Sequence, residues 1–338
     1  MQIPQSSRFK SPLRALMLCA SLACLAGFAF MFFQLDVAAI SSMLRSLERV
    51  WPWILLLELT RVACEVLTTR SLLGSAGATL PFSRLMRGQL LGQACDVLMP
   101  LGRTSAETAK AVLYSSYVST PVAGAVATTM QLAVLAANCS WVIASFWPSR
   151  VLGVSSTVRA GLVTYAVLTS SLVLAVVLFA AAPWLRRASE RLPVLHASLE
   201  RLAQLLLSSP RALCFAMLSQ LLGRAVQAAQ LTLIAATLGA QIAPAHVWTI
   251  EAVYMVGAAL GELVPAQLGT ADAALVIAAP ALGLSAVAAF SAILGLRAVQ
   301  LVVAGAAALG SLGLWWLEER RGRDYEEARE PRLLLPSE

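Results

Sequence analysis

The sequence is poor in charge. Only 13 % of its 338 residues are Asp, Glu, Lys or Arg, against 59 % hydrophobic residues, and a soluble chain would carry about twice that charged share. With a mean hydropathy of +0.76, no stretch is left that could fold as a sizeable soluble domain. The fold class expected is an all-α polytopic membrane protein. Lysine is nearly absent: Lys10 and Lys110 are the only two among 25 basic residues. The net charge of +7 is therefore arginine, set in short segments beside apolar runs. That is the positive-inside pattern of a membrane protein and excludes a nucleic-acid partner.

Other absences narrow the function. His196 and His246 are the only histidines, and the chain has no HExxH, GxSxG, P-loop or Cys/His cluster. No enzyme activity, metal or cofactor is expected. Six cysteines are scattered through apolar segments without a CxxC and read as small buried hydrophobes. Asn138, the only asparagine, opens a glycosylation pattern that falls inside an apolar span and is discarded. The bias to Arg and Ala suggests a GC-rich bacterial genome, hence the inner (plasma) membrane of a bacterium.

What the chain has is apolar spans. Single spans are expected at 13–33, 51–73, 121–147, 159–184, 212–238 and 285–317. The first reads as a helix and not a signal peptide, because its apolar core is long and no A-x-A site follows. Residues 34–50 read as a short loop. The arginine-rich stretch 183–211 carries leucines at helical spacing and could lie on the membrane surface as an amphipathic helix. A charged tail begins at Glu318. Arginine placement puts both termini and 183–211 in the cytoplasm.

Two apolar stretches are broken. The first pairs helical pieces at 82–99 and 104–118 around Pro100, Gly102 and Arg103. The second pairs 247–264 and 270–282 around Pro265 and Gly269. Each pair reads as a re-entrant hairpin, or as two crossings. At an offset of 165 residues Leu73-Gly74 aligns with Leu238-Gly239, Gly92 with Gly257, Pro100 with Pro265 and Glu107 with Asp272. Three single spans separate equivalent points, an odd number, so the copies, about 51–147 and 216–312, should be inverted. Inverted repeats with broken helices at the midplane are a recurring transporter plan.

The charges inside these spans are the candidate site. Thr104-Ser-Ala-Glu107 is a capping-box pattern, and Asp272 keeps the acid in the second copy. Glu107 and Asp272 read equally as half-helix caps and as substrate contacts. A half-helix starting inside the membrane points free N–H groups and its positive end inward, with Arg103 just before one such start. That arrangement could cradle an anionic headgroup. Glu58, Arg61 and Glu65 share one helix face, and burying an isolated charge in hydrocarbon costs on the order of 2.5–3.5 kcal/mol. They read as an internal ion-pair set or as a wet site. Arg224 with Gln227, and Arg297 with Gln300, read likewise. Asp96, Glu251 and Glu262 complete an acidic set, with Asp96 or Glu107 paired to Arg297 or Arg224.

The broken segments resemble the flippase-like membrane family that includes the transmembrane half of lysylphosphatidylglycerol synthases. Family members carry Pro–Gly–Arg followed by Gly-Glu at the first hairpin; here it is Pro100-Leu-Gly102-Arg103-Thr-Ser-Ala-Glu107. At the second they carry a Pro- and Gly-rich turn followed by Glu; here it is Pro265-Ala-Gln-Leu-Gly269-Thr-Ala-Asp272, with Asp for Glu. A terminal pattern is similar to Gly295-Leu-Arg297-Ala-Val-Gln300. The likeness runs over about 10–318, and the second turn is most similar to the hopanoid-associated branch. The soluble aminoacyl-transferase domain is not in this sequence, so the resemblance implies lipid movement rather than aminoacylation. The expected function is a lipid translocase, or a component of one, whose partner is a membrane lipid. The alternatives are a proton-coupled small-solute transporter and a non-transporting scaffold for lipid-modifying enzymes. A homo-oligomer is compatible with each.

Overall fold

The computed structural model describes residues 37–333, except 75–76, 78–79, 100, 183, 185–188, 191–192, 242, 263 and 265–266. The expected span 13–33 and both prolines of the broken segments, Pro100 and Pro265, lie outside the described residues. All regular structure among the described residues is helical. A short helix α1 (Val37–Ser46) and one 3-10 turn precede α2 (Trp51–Leu73). The expected loop at 34–50 thus holds a helix. It is pinned by Leu47, which is fully buried among residues of α2 and of the last long helix.

Next come α3 (Phe82–Leu98), α4 (Gly102–Tyr114), α5 (Thr120–Ala144), α6 (Phe146–Val151), α7 (Ser156–Ala181) and α8 (Pro193–Ser208). They are followed by α9 (Pro210–Thr237), α10 (Pro244–Leu260), α11 (Thr270–Ala278) and α12 (Ala286–Leu333). Proline opens several of them in the first turn, where its missing N–H costs nothing: α2, α5, α9 and α10.

Four stretches among the described residues are long and apolar enough to cross a membrane: Thr120–Val151, Ser156–Ala181, Pro210–Thr237 and Ala286–Glu318. They coincide with four of the six expected spans. The 23-residue α2 has the length but carries charge on one face. Helix α7 is only 17 % buried over its most apolar window, and Val167, Leu168, Leu172, Leu174 and Leu178 stand exposed along it. Such a helix is stable only against hydrocarbon. Exposed Trp147 and Trp184 flank it at its two ends, as interfacial aromatics do. Helix α12 continues through the charged stretch that begins at Glu318, to Leu333.

Helix α8 forms where the leucine stripe of 183–211 predicts one. Its apolar face does not look outward: Leu199, Leu202 and Ala203 are buried, and Leu202 packs with Ala125 of α5 and Ala180 of α7. Covering apolar surface on neighbouring helices is what anchors α8.

Helix by helix, α9–α12 follow the order of α2–α5. The helices α2 and α9 end at matched glycines of positive φ, Gly74 at 51° and Gly239 at 95°. A Cβ on Gly92 of α3 would lie 3.0 Å from the Lys110 side chain of α4, and one on Gly257 of α10 would lie 2.7 Å from Ala271 of α11. Each of these matched glycines sits where the two arms of its hairpin pack closely.

The two hairpins open at opposite ends of the bundle. Leu85 and Tyr114 of the first pack with Ala123 near the start of α5. Trp248 of the second stacks on Trp141 near the end of α5, with ring centroids 4.4 Å apart. The first hairpin is also tied to the far end of the α12 span, where Arg84 and Arg87 bind Glu318 at 2.9 and 3.0 Å.

Candidate functional site

The tips of the two hairpins touch. The Leu101 N–H donates to the Glu262 carbonyl at 2.9 Å, and the Arg103 N–H donates to the Glu262 carboxylate at 3.3 Å. Both tips hold a non-glycine residue in left-handed backbone, Leu101 at φ 57° and Gln267 at φ 54°. L-residues adopt that region only when their surroundings enforce it, and for Leu101 the bond to Glu262 does so.

This contact changes the expected role of the α4 N-terminus. Helix α4 starts at Gly102, with Leu101 as its N-cap and no side-chain cap. Arg103 therefore lies inside the first turn and not before it, and Thr104 with Glu107 forms no capping box. The anion at this helix start is the chain's own Glu262 carboxylate, reaching across from the other hairpin. The matched acid behaves differently. Asp272 does cap its half-helix, accepting from the Gly269 N–H at 2.8 Å, and it pairs with Arg297 at 3.0 Å.

Glu107 is instead held by cations: Lys110 at 2.5 Å and Arg103 at 3.7 Å. Arg103 also bonds Glu65 at 2.6 Å. Arg61 bridges Glu58 at 2.7 Å and Glu65 at 3.0 Å along α2 and donates to Gln93 of α3 at 3.2 Å. Glu58, fully buried, also accepts from Gln230 of α9 at 3.2 Å. One chain of ion pairs thus runs from the middle of α2 through the first tip into α4. The expected partners of the other arginines are corrected by geometry. Arg224 lies 3.5 Å from Glu251 and bonds Gln227 at 2.8 Å, while Arg297 takes Asp272 and the Gln267 carbonyl. Neither reaches Asp96 or Glu107, which belong to the opposite hairpin.

A cavity of about 390 Å³ opens at the meeting tips, within the roughly 300–1,000 Å³ of small-ligand sites. Of the expected site residues it is lined by Arg61, Asp96, Arg103, Arg224 and Glu262. Glu58, Asp272 and Arg297 stand outside its lining. They fix the walls, and Gly102 and Gly269 belong to the turns. A second groove of about 370 Å³ runs between α4 and α5, lined by Glu107, Thr108 and Val112 among others. Thr104 and Gln131 border both spaces, so the groove, with Thr108 and Val112 exposed along it, adjoins the chamber on the outer side of the bundle.

Several lining residues give no signal in the sequence. Gln131 and Asn138 of α5, Tyr165 of α7, Tyr254 of α10 and Gln267 of the second tip all reach the chamber. Lys110 is the missed residue that did leave a trace. It is 3 % exposed, it follows Glu107 at i+3, and it is one of two lysines in an arginine-dominated chain.

Gly102 is required by close approach, since a Cβ there would lie 2.3 Å from the Asp96 carbonyl oxygen. Gly102→Ala is expected to cost about 1–3 kcal/mol through overpacking. A lowered midpoint in SDS titration would show it; an unchanged midpoint would mean that the tip yields to a methyl group without cost.

A family model of the lysylphosphatidylglycerol synthase TM region matches residues 17–308. No curated protein and no solved structure matches the chain.

Proposed function

Since the chain belongs to the lysylphosphatidylglycerol synthase transmembrane-region family, we propose that this multi-pass membrane protein is a lipid translocase of a bacterial inner membrane. The observation that carries the reading is the polar chamber at the hairpin tips with a groove beside it between α4 and α5. A headgroup could sit in the chamber while its tails stay in the bilayer beside the groove. A transporter of small solutes has no need of such a groove.

The two hairpins are re-entrant in this reading, and α2–α5 with α9–α12 form an inverted repeat, with both termini cytoplasmic. Supporting it are the matched glycines, the shared helix order and the opposite open ends. Alternating access is the rocking of one repeat against the other. The moving seam is the tip contact, where the Leu101 and Arg103 N–H groups leave Glu262 as the chamber opens.

The test is transfer of acyl-chain-labelled lipid between leaflets of proteoliposomes. The double variant Arg103→Gln with Glu107→Gln is expected to lose at least about 90 % of the transfer rate while eluting as a folded protein. Interactions of this kind are worth about 1.5–3 kcal/mol each, enough for a tenfold effect. A well-folded double variant that transfers lipid at the wild-type rate would sink the proposal. Solute uptake driven by a pH gradient, with no lipid transfer, would favour the proton-coupled alternative, in which the chamber acids Asp96 and Glu262 carry the proton.

A further inference from the structure

We infer that the chamber is built for an uncharged, polyhydroxylated headgroup, a sugar or polyol carried on a lipid, and not for a phosphate. This deepens the translocase reading and rests on it.

The charges speak first. All three arginines on the chamber wall are already engaged by carboxylates of the chain. Arg61 is held by Glu58 and Glu65, Arg103 by Glu65, and Arg224 faces Glu251. At Arg61 and Arg224 a phosphate would compete with these carboxylates, and at Arg103, whose Nε and Nη2 have no hydrogen-bond partner, it would still lie beside Glu65 and Glu107. It would also meet Asp96 and Glu262 on the same wall, and neither has a cationic side chain within 4 Å among the described residues. The helix start that could have bound an anion is occupied by Glu262.

The unmet hydrogen bonds speak second. Among residues that line the chamber, the Arg103 Nε and Nη2, the Gln131 Nε2 and the Asn138 Oδ1 are buried without a partner. The first three are donors and the last an acceptor. A hydroxyl meets both demands; a phosphate oxygen only accepts and an ammonium only donates. The Asn138 amide is held in place by the bond from its Nδ2 to the Tyr165 hydroxyl at 3.2 Å. Tyr165 and Tyr254 also line the chamber, and aromatic side chains suit the C–H face of a sugar ring.

The experiment uses proteoliposomes of the full chain and three lipids with the same fluorescent acyl chain, followed by quenching from outside. The headgroups are a single neutral hexose, a bare phosphate (phosphatidic acid) and phosphoethanolamine. The hexose lipid is expected to cross at least tenfold faster than either phospholipid. Gln131→Leu with Asn138→Leu should reduce that rate at least tenfold at unchanged elution volume. Should that variant misfold, Tyr165→Phe removes one hydroxyl and is expected to slow the hexose lipid severalfold. Equal or faster transfer of a phospholipid overturns the headgroup assignment and leaves the translocase reading standing. Insensitivity of the hexose lipid to these substitutions overturns it as well. If all three lipids cross at the protein-free rate, both readings fall together.

Discussion

Replacing Arg61 by methionine is expected to cost about 3–5 kcal/mol of stability, the range for breaking a buried ion pair by removing one partner. Arg61 is the only cation within 4 Å of the fully buried Glu58 among the described residues. Without it, Glu58 keeps a single amide donor, Gln230 at 3.2 Å. Glu65 is buffered, because Arg103 still holds it at 2.6 Å. The loss should therefore be rescued in good part by Glu58→Gln in the Arg61→Met background, and less by Glu65→Gln. SDS titration of the purified protein in mixed micelles reads both. An Arg61→Met midpoint equal to that of the wild type would mean that Glu58 reaches water, contrary to its burial.

The second large effect is expected at Arg297. It reaches the second hairpin through Asp272 at 3.0 Å and the Gln267 carbonyl at 2.8 Å, and Asp272 is fully buried. Arg297→Met should cost about 3–5 kcal/mol, since it strands a carboxylate in the bundle. Asp272→Asn should cost less, because the amide oxygen can still accept from the Gly269 N–H and Arg297 keeps the Gln267 carbonyl. The double variant should be more stable than Arg297→Met alone, because no charge is then left without a partner. A double-mutant cycle measures this directly. Simple addition of the two single costs would show that Asp272 and Arg297 act independently.

Much of the architecture was legible in the sequence because membrane helices advertise themselves. Long apolar runs, proline in first turns and terminal tryptophans located α5, α7, α9 and the α12 span closely. The two broken segments were legible because proline, glycine and charge are costly in hydrocarbon. The grouping of Glu58, Arg61 and Glu65 followed from helical spacing alone. Pairing across helices did not. Asp272 and Glu107 align at the 165-residue offset, yet one caps its half-helix and the other binds Lys110 and Arg103. That difference arises because Leu101 adopts left-handed backbone and starts α4 at Gly102, ahead of the Thr104 that the capping pattern selects.

The sequence by itself determined that this protein lives in a membrane, that its polar residues are confined to a few faces, and that two interrupted segments echo each other. These are consequences of local cost: each apolar run or buried charge is favoured or penalised wherever its partners lie. Only the tertiary structure decided what the interruptions enclose. It set the tips of the two hairpins against each other through Glu262, engaged the chamber arginines with the chain's own carboxylates, and left amides and hydroxyls from separate helices facing one cavity. Residues such as Asn138 and Tyr165 are ordinary in sequence, and they become a site because packing fixes which helix faces meet.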